Sequence, residues 1–87
     1  MTETKSFAKE LSKLHDQIQR AWVKTKEKML VDTTMSGLNF KHFIDGGEQV
    51  CSVRLNKAYG AHLRRLDSPP GWLEAFRVGD HKVMGHG

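Results

Sequence analysis

The sequence has little cysteine and no long apolar run, and each shortage excludes a class of protein. Cys51 is the single cysteine among 87 residues, so no disulfide can form within the chain. Lying beside Val50 and near Val53, it is predicted to be a small buried residue. No run approaches the roughly 18 apolar residues of a membrane helix, and the segment MTETKSF lacks the apolar stretch of a secretion signal. We therefore expect a cytoplasmic protein with no membrane partner.

Motifs for metal or nucleotide chemistry are also missing. One cysteine and scattered histidines do not supply the closely spaced ligands of a structural zinc site. His81 and His86, without a nearby pair of carboxylates, are a weak indication of a metal site. Neither a glycine-rich phosphate loop nor a G-x-S-x-G turn occurs. We expect no metal ion and no cofactor.

The length and composition are those of one small globular domain. Residues 1–87 leave room for a single hydrophobic core. Apolar residues make up 38% and charged residues 28% of the chain, which is more typical of a folded than of a disordered protein. Because the core is thin, we expect marginal stability unless a partner covers part of the surface.

Positive charge is concentrated in the second half of a chain whose formal net charge is +4. Seven of the ten acidic residues precede Val50. From there onward the cations and imidazoles are Arg54, Lys57, His62, Arg64, Arg65, Arg77, His81, Lys82 and His86. Clustered basic residues favour a polyanionic partner, and RNA is the partner we expect.

The first third of the chain has the period of two helices. Residues suited to a buried helix face recur in two series, Phe7, Leu11, Leu14 and then Ile18, Trp22, Thr25, Met29. Asp16, followed three residues later by Gln19, is typical of a helix start. We predict helices over Ser6–Leu14 and Gln17–Leu30, joined by a tight turn at His15–Asp16.

The rest of the chain shows the alternation of strands. We predict strands over Val50–Leu55, Tyr59–Leu66 and Trp72–Val78, with Leu38–Phe43 as a short edge strand or extended segment. Gly46–Gly47 is a predicted loop, Asn56–Ala58 is short enough for a hairpin, and Asp67–Gly71, with two prolines, is a turn. The predicted fold is α+β, an αα-hairpin packed on a three- to four-stranded antiparallel sheet.

Alternation also assigns the two faces of that sheet. Cys51, Val53, Tyr59 and Leu63 are predicted to face the helices, against Leu11, Leu14 and Trp22. The opposite face, predicted to be open to solvent or a ligand, gathers Arg54, His62, Arg64 and Arg77. Cations and imidazoles together suit RNA cleavage without a metal, which needs a base, an acid and charges that meet phosphate. The alternative is that these charges only solvate an open face.

Several segments in order resemble the RelE/ParE superfamily of toxins. The resemblance spans Ser6 to His86 and is carried by FAKELSKL, SGLNF, SVRLNKAY and FRVGDHK. It implies the toxin of a toxin–antitoxin pair. The antitoxin is expected to cover the helices and the basic face, and the two proteins are expected to form a hetero-oligomer. Members similar to RelE cut mRNA on the ribosome, whereas members similar to ParE inhibit DNA gyrase by binding alone.

The basic sheet face predicted above and the resemblance together suggest roles for individual residues. Arg54, His62, His81 and His86 are candidate catalytic residues, with His81 ranked first as the acid or base. Lys57, Arg64, Arg77 and Lys82 are candidate phosphate ligands. A strand usually precedes the first helix in this family, and here only Thr2–Lys5 is left for it.

Gly60 stands where RNA-cutting members carry a phosphate-binding arginine, which predicts an enzyme of reduced activity. The glycine is either the natural residue at this position or an inactivating substitution. A gyrase inhibitor and a nucleic-acid-binding domain that is not a toxin are the alternatives.

Overall fold

The computed structural model describes residues 1–31, 40–66 and 72–80 of the chain. Its elements are, in order, β1 (Thr2–Glu3), α1 (Lys5–Ser12), α2 (Asp16–Val31), β2 (Lys41–Asp45), β3 (Glu48–Arg54), β4 (Tyr59–Arg65) and β5 (Leu73–Asp80). Neither helix in these ranges is long and apolar enough to cross a membrane.

The five strands form one mixed sheet in the order β1-β5-β4-β3-β2. β1 runs parallel to β5, and the other neighbours are antiparallel. The predicted α+β class is therefore confirmed, but the prediction of three or four strictly antiparallel strands is wrong. The difference comes from β1, whose two residues are too few to show an alternating pattern in the sequence.

Both predicted helices are present, with ends shifted by only one or two residues from the prediction. α1 begins after Thr4, whose hydroxyl accepts a hydrogen bond of 3.0 Å from the amide of Phe7. α2 buries the predicted face, which consists of Ile18, Trp22, Thr25 and Met29. The helical hairpin is thereby confirmed.

Two short turns set the register of the sheet. Gly46 and Gly47 have φ angles of +60° and +84°, as a two-residue type I′ turn between β2 and β3 requires. Between β3 and β4, Asn56 Oδ1 accepts hydrogen bonds of 2.8 Å from the amides of Ala58 and Tyr59. Both turns lie where they were predicted.

The core lies between the helices and one face of the sheet. Phe7 of α1 and Trp22 of α2 pack with ring centroids 4.9 Å apart. The sheet contributes Cys51, Val53, Ala61, Leu63, Ala75 and Val78. The predicted inward faces of β3 and β4 are confirmed, although Tyr59 is only half-buried.

Some predictions concern residues beyond the described ranges. The turn at Asp67–Gly71 and the candidate site residues His81, Lys82 and His86 lie outside them. The predicted edge segment Leu38–Phe43 corresponds to β2, which the structure places at Lys41–Asp45, and the first two residues of that segment are also outside.

Candidate nucleic-acid interface

The sheet face opposite the helices carries the predicted site residues of β3, β4 and β5. Strand pairing places Ser52, His62 and Arg77 opposite one another in one row, with Lys41 of β2 at its end. We call the surface formed by Lys41, Arg54, His62, Arg64 and Arg77 the basic face. Because side chains opposite one another across a sheet point to the same side, the predicted grouping is present.

A bulge in β5 adds an aromatic ring to the basic face. His62 pairs with Arg77 and Leu63 with Ala75, so Phe76 has no opposite residue on β4. Phe76 and Arg77 therefore both project toward the basic face. The Phe76 ring lies under two guanidinium groups, with its centroid 4.1 Å from Arg64 Cζ and 5.3 Å from Arg77 Cζ.

His62 lies beneath the surface of the basic face. Its side chain is only 1% exposed, so the prediction of an exposed imidazole is wrong. The Phe43 ring stands 5.0 Å from it, centroid to centroid, and Arg77 Nη1 lies 3.4 Å from its Nδ1. A guanidinium can only donate, so this contact requires an unprotonated Nδ1. His62 can reach a substrate only if neighbouring side chains move.

Side chains from two non-adjacent strands meet over the basic face. Arg77 Nη1 of β5 lies 3.5 Å from Asp45 Oδ2 of β2, although β4 and β3 separate these two strands. Three strand spacings of about 4.8 Å would hold the two backbones roughly 14 Å apart in a flat sheet. The two side chains therefore reach toward each other across β4 and β3.

Carboxylates neutralise part of the basic face. Arg64 lies between two of them, with Nη1 3.5 Å from Glu48 Oε1 and Nε 3.6 Å from Glu74 Oε1. Its Nε is buried and the distance to Glu74 is too long for a hydrogen bond, so this contact is electrostatic only. Arg64 and Arg77 therefore have part of their charge offset by carboxylates of the same chain.

Exposed cations that are not paired with a carboxylate lie toward one end of the basic face. Arg54 and Lys57 are exposed, as is Lys41 on β2, and within the described ranges none of the three has an ion-pair partner. Asp80, the last described residue of β5, pairs with Tyr59 at this end. Among the described residues, Arg54 and Lys57 are therefore the predicted phosphate-binding side chains that are exposed and carry no carboxylate partner.

Sequence reasoning did not find several residues of the basic face. Phe43 and Asp45 come from an edge strand whose register is set by a turn, and Phe76 reaches the face through a bulge. Alternation in Lys41–Asp45 was the available signal, since it places Phe43 and Asp45 on one side. The contacts of Glu48 and Glu74 with Arg64 depend on strand order and left no signal in the sequence.

No arrangement on the described part of the chain resembles a metal site. No group of three or more His, Cys, Asp or Glu side chains there could hold an ion. Cys51 is 4% exposed, as predicted, and its Sγ lies 3.4 Å from His42 Nδ1 on the helix side of the sheet. Burial raises the pKa of the Cys51 thiol, and the charge of Arg65 offsets only part of that rise, so the thiol stays protonated at neutral pH.

No protein-family profile, curated protein sequence or solved structure matches the chain. The function is therefore inferred from the basic face and from the resemblance in sequence.

Proposed function

We propose that this protein is a cytoplasmic toxin of a toxin–antitoxin pair of the RelE/ParE type, and that it cleaves ribosome-bound mRNA without a metal ion. The observation that carries the proposal is the gathering of Arg54, Arg64 and Arg77 on one sheet face, opposite the helical hairpin. The two-residue β1 also supports it, because the resemblance implies a strand before the first helix.

The proposed reaction divides the work between phosphate binding and proton transfer. Arg54 and Lys57 bind the RNA backbone first, because they are exposed and carry no carboxylate partner in the described ranges. A base removes the proton of the 2′-hydroxyl, whose oxygen attacks phosphorus. An acid then protonates the departing 5′-oxygen, leaving a cyclic phosphate. Arginine side chains offset the charge that builds on the phosphoryl oxygens.

His81 is the proposed acid or base, with His86 as a second candidate. The burial of His62 supports this order, because an imidazole that is 1% exposed cannot meet a substrate directly. His62 instead packs against Phe43 and Arg77, two side chains of the basic face. Its proposed contribution is to hold these two in place.

A specific observation favours the second candidate function, inhibition of DNA gyrase by binding alone. Arg64 and Arg77 are each held by carboxylates, and the one imidazole described on this face is buried. A face arranged in this way can bind a protein through charge and shape with no chemical step. The antitoxin is the expected partner in either case.

The two candidates are separated by inducing the chain in bacteria and mapping transcript ends. The proposal predicts growth arrest with new 5′ ends inside translated messages, and loss of both in His81→Gln. Lys24→Gln, a change at an exposed helix position away from the basic face, is the matched control and should keep both. Arrest without new ends, together with inhibited DNA supercoiling, would establish inhibition of gyrase instead. Continued growth at a verified level of folded protein would exclude both.

Gly60 provides a gain-of-function test of the same proposal. It is buried and lies directly opposite Arg54 on the basic face. A guanidinium that meets the scissile phosphate only in the transition state is worth roughly 1.5–3 kcal/mol, so Gly60→Arg should raise the cleavage rate about 10–100-fold. A variant that melts at a lower temperature and is no more toxic would show that the glycine is needed for packing.

A further inference from the structure

Among the described strands, β2 is the outermost, and its outer edge is unpaired. It pairs with β3 on one side, and no strand of the described ranges pairs with its other side. Its side chains are exposed apart from the half-buried Phe43, and Ile44 is 65% exposed. Proteins usually protect such an edge or cover it with another strand.

The sequence of β2 is complementary to itself in the antiparallel direction. Lys41 and Asp45 are equally distant from Phe43, one on each side. Two copies paired antiparallel about Phe43 place each Lys41 opposite Asp45 of the partner subunit, and each His42 opposite Ile44. Opposite charges that face each other across strands are favourable. We propose that this edge is a homodimer interface, formed by β2 of two copies around Phe43.

Backbone geometry agrees with this register. A two-residue turn makes its flanking residues Asp45 and Glu48 a hydrogen-bonded pair, and bonded and non-bonded pairs alternate from there. The amides and carbonyls of His42 and Ile44 therefore point away from β3, toward the open edge. Pairing about Phe43 brings His42 of each copy opposite Ile44 of the other, so these groups complete a regular ladder.

As far as the described residues show, the surroundings of the edge leave room for a second copy. An open depression of about 370 Å³ beside the strand is lined by His42, Phe43, Ile44 and Gln49. Helix α1 packs on β5, toward the opposite end of the sheet. Asp45 contacts Arg77 of its own chain, but its side chain is 47% exposed and can also meet a lysine.

The dimer has a consequence for the basic face. Antiparallel pairing of identical strands about one residue has its twofold axis perpendicular to the sheet. The basic faces of the two copies therefore lie on the same side and join at Phe43. This interface does not depend on what the basic face binds, and its test needs no nucleic acid.

Charge reversal tests the interface by sedimentation of the purified chain over a wide range of concentration. The wild-type chain should reach the mass of a dimer as concentration rises. Lys41→Asp places two negative charges opposite each other across the interface, so this variant should stay monomeric. Asp45→Lys places two positive charges opposite each other and should stay monomeric as well. A mixture of these two variants should form a mixed dimer, because the new aspartate of one chain then lies opposite the new lysine of the other. The double variant, in which the two charges are exchanged, should dimerise as the parent does.

A backbone variant separates loss of pairing from loss of folding. Ile44→Pro removes an amide that points outward, so it should abolish the dimer while the circular dichroism spectrum and melting of the monomer persist. A wild-type chain that is monomeric at every concentration overturns the proposal. So does a dimer that survives Lys41→Asp, or a mixture of the two reversals that stays monomeric.

Discussion

At the scale of single residues, β4 is buried on both of its faces. Ala61 and Leu63 are 0% exposed on the helix side, and His62 is 1% exposed on the basic face. The alternation of apolar and polar residues in β4 suggested that one face is exposed to solvent. On that face, however, aromatic rings and a guanidinium group contact His62 and exclude solvent from it. A polar residue in a strand of so small a sheet can therefore be part of the packing.

Leu63 tests the helix-side core directly. Leu63→Ala removes a fully buried side chain and leaves a cavity, which should lower the free energy of unfolding by roughly 2–5 kcal/mol. For a chain of this length the melting temperature should fall by at least about 8 °C. Leu30→Ala is the matched control, since Leu30 is 75% exposed and the same change there should leave the melting temperature nearly unchanged. Equal melting of Leu63→Ala and the parent would contradict the assignment of the inward face of β4.

At the scale of elements, the two-residue β1 is held by contacts with both layers. The amide of Thr4 donates to the carbonyl of Ala75 at 3.0 Å. Glu3 accepts hydrogen bonds of 3.0 Å from Trp22 Nε1 and from Lys26 Nζ, both on α2. β1 therefore ties α2 to the edge of the sheet, and Glu3 is the side chain that makes this connection.

The ionisation of Glu3 links this connection to pH. Partial burial by itself raises the pKa of Glu3, but hydrogen bonds from Trp22 and Lys26 and the charge of Lys26 outweigh it and lower the pKa below 4.5. A carboxyl group with a lowered pKa in the folded state stabilises the protein at neutral pH. That contribution is lost as pH falls below 4.5 through the folded-state pKa.

Glu3→Gln should therefore destabilise the protein at neutral pH by about 1 kcal/mol, and the difference from the parent should shrink as pH falls below 4.5. Thermal unfolding followed between neutral and acidic pH measures both effects. Glu10→Gln is a suitable control, because the Glu10–Lys13 pair is about 60% exposed on each side and contributes little. A Glu3→Gln difference that does not change with pH would show that the carboxylate charge is unimportant.

At the scale of the whole molecule, fewer cations lack a carboxylate partner than the sequence suggested. Arg54, Arg64 and Arg77 lie on one sheet face, but Asp45, Glu48 and Glu74 meet Arg64 and Arg77 there. Among the described residues, the exposed cations near this face without a carboxylate partner are Lys41, Arg54 and Lys57. We expect contact with a polyanion to begin there.

Salt dependence of RNA or ribosome binding measures this distribution. Arg54→Gln should reduce the slope of log affinity against log salt by about 0.7–0.9, the value of one lost phosphate contact. Arg77→Gln should change it less, because Asp45 already neutralises Arg77. Lys24→Gln on α2 controls for the loss of one charge and should leave the slope unchanged. Affinity that does not vary with salt would exclude an electrostatic interface.

Most of the fold could be predicted from the sequence. The helices have a period near 3.6, and the inward faces of β3 and β4 have a period of 2. Both follow from local geometry and need no knowledge of the neighbouring elements. β1 could not be predicted in the same way, because its pairing with β5 involves residues more than seventy positions apart in the sequence.

The sequence by itself determined the α+β class, the helical hairpin, the buried Cys51 and the gathering of Arg54, Arg64 and Arg77 on one face. Only the tertiary structure decided which of these charges are accessible. Asp45 of the edge strand meets Arg77, and the contacts of Phe43 and Arg77 with His62 leave this imidazole buried. The physical reason is that local periodicity assigns a side chain to a face, whereas exposure and pairing depend on which distant strands meet there.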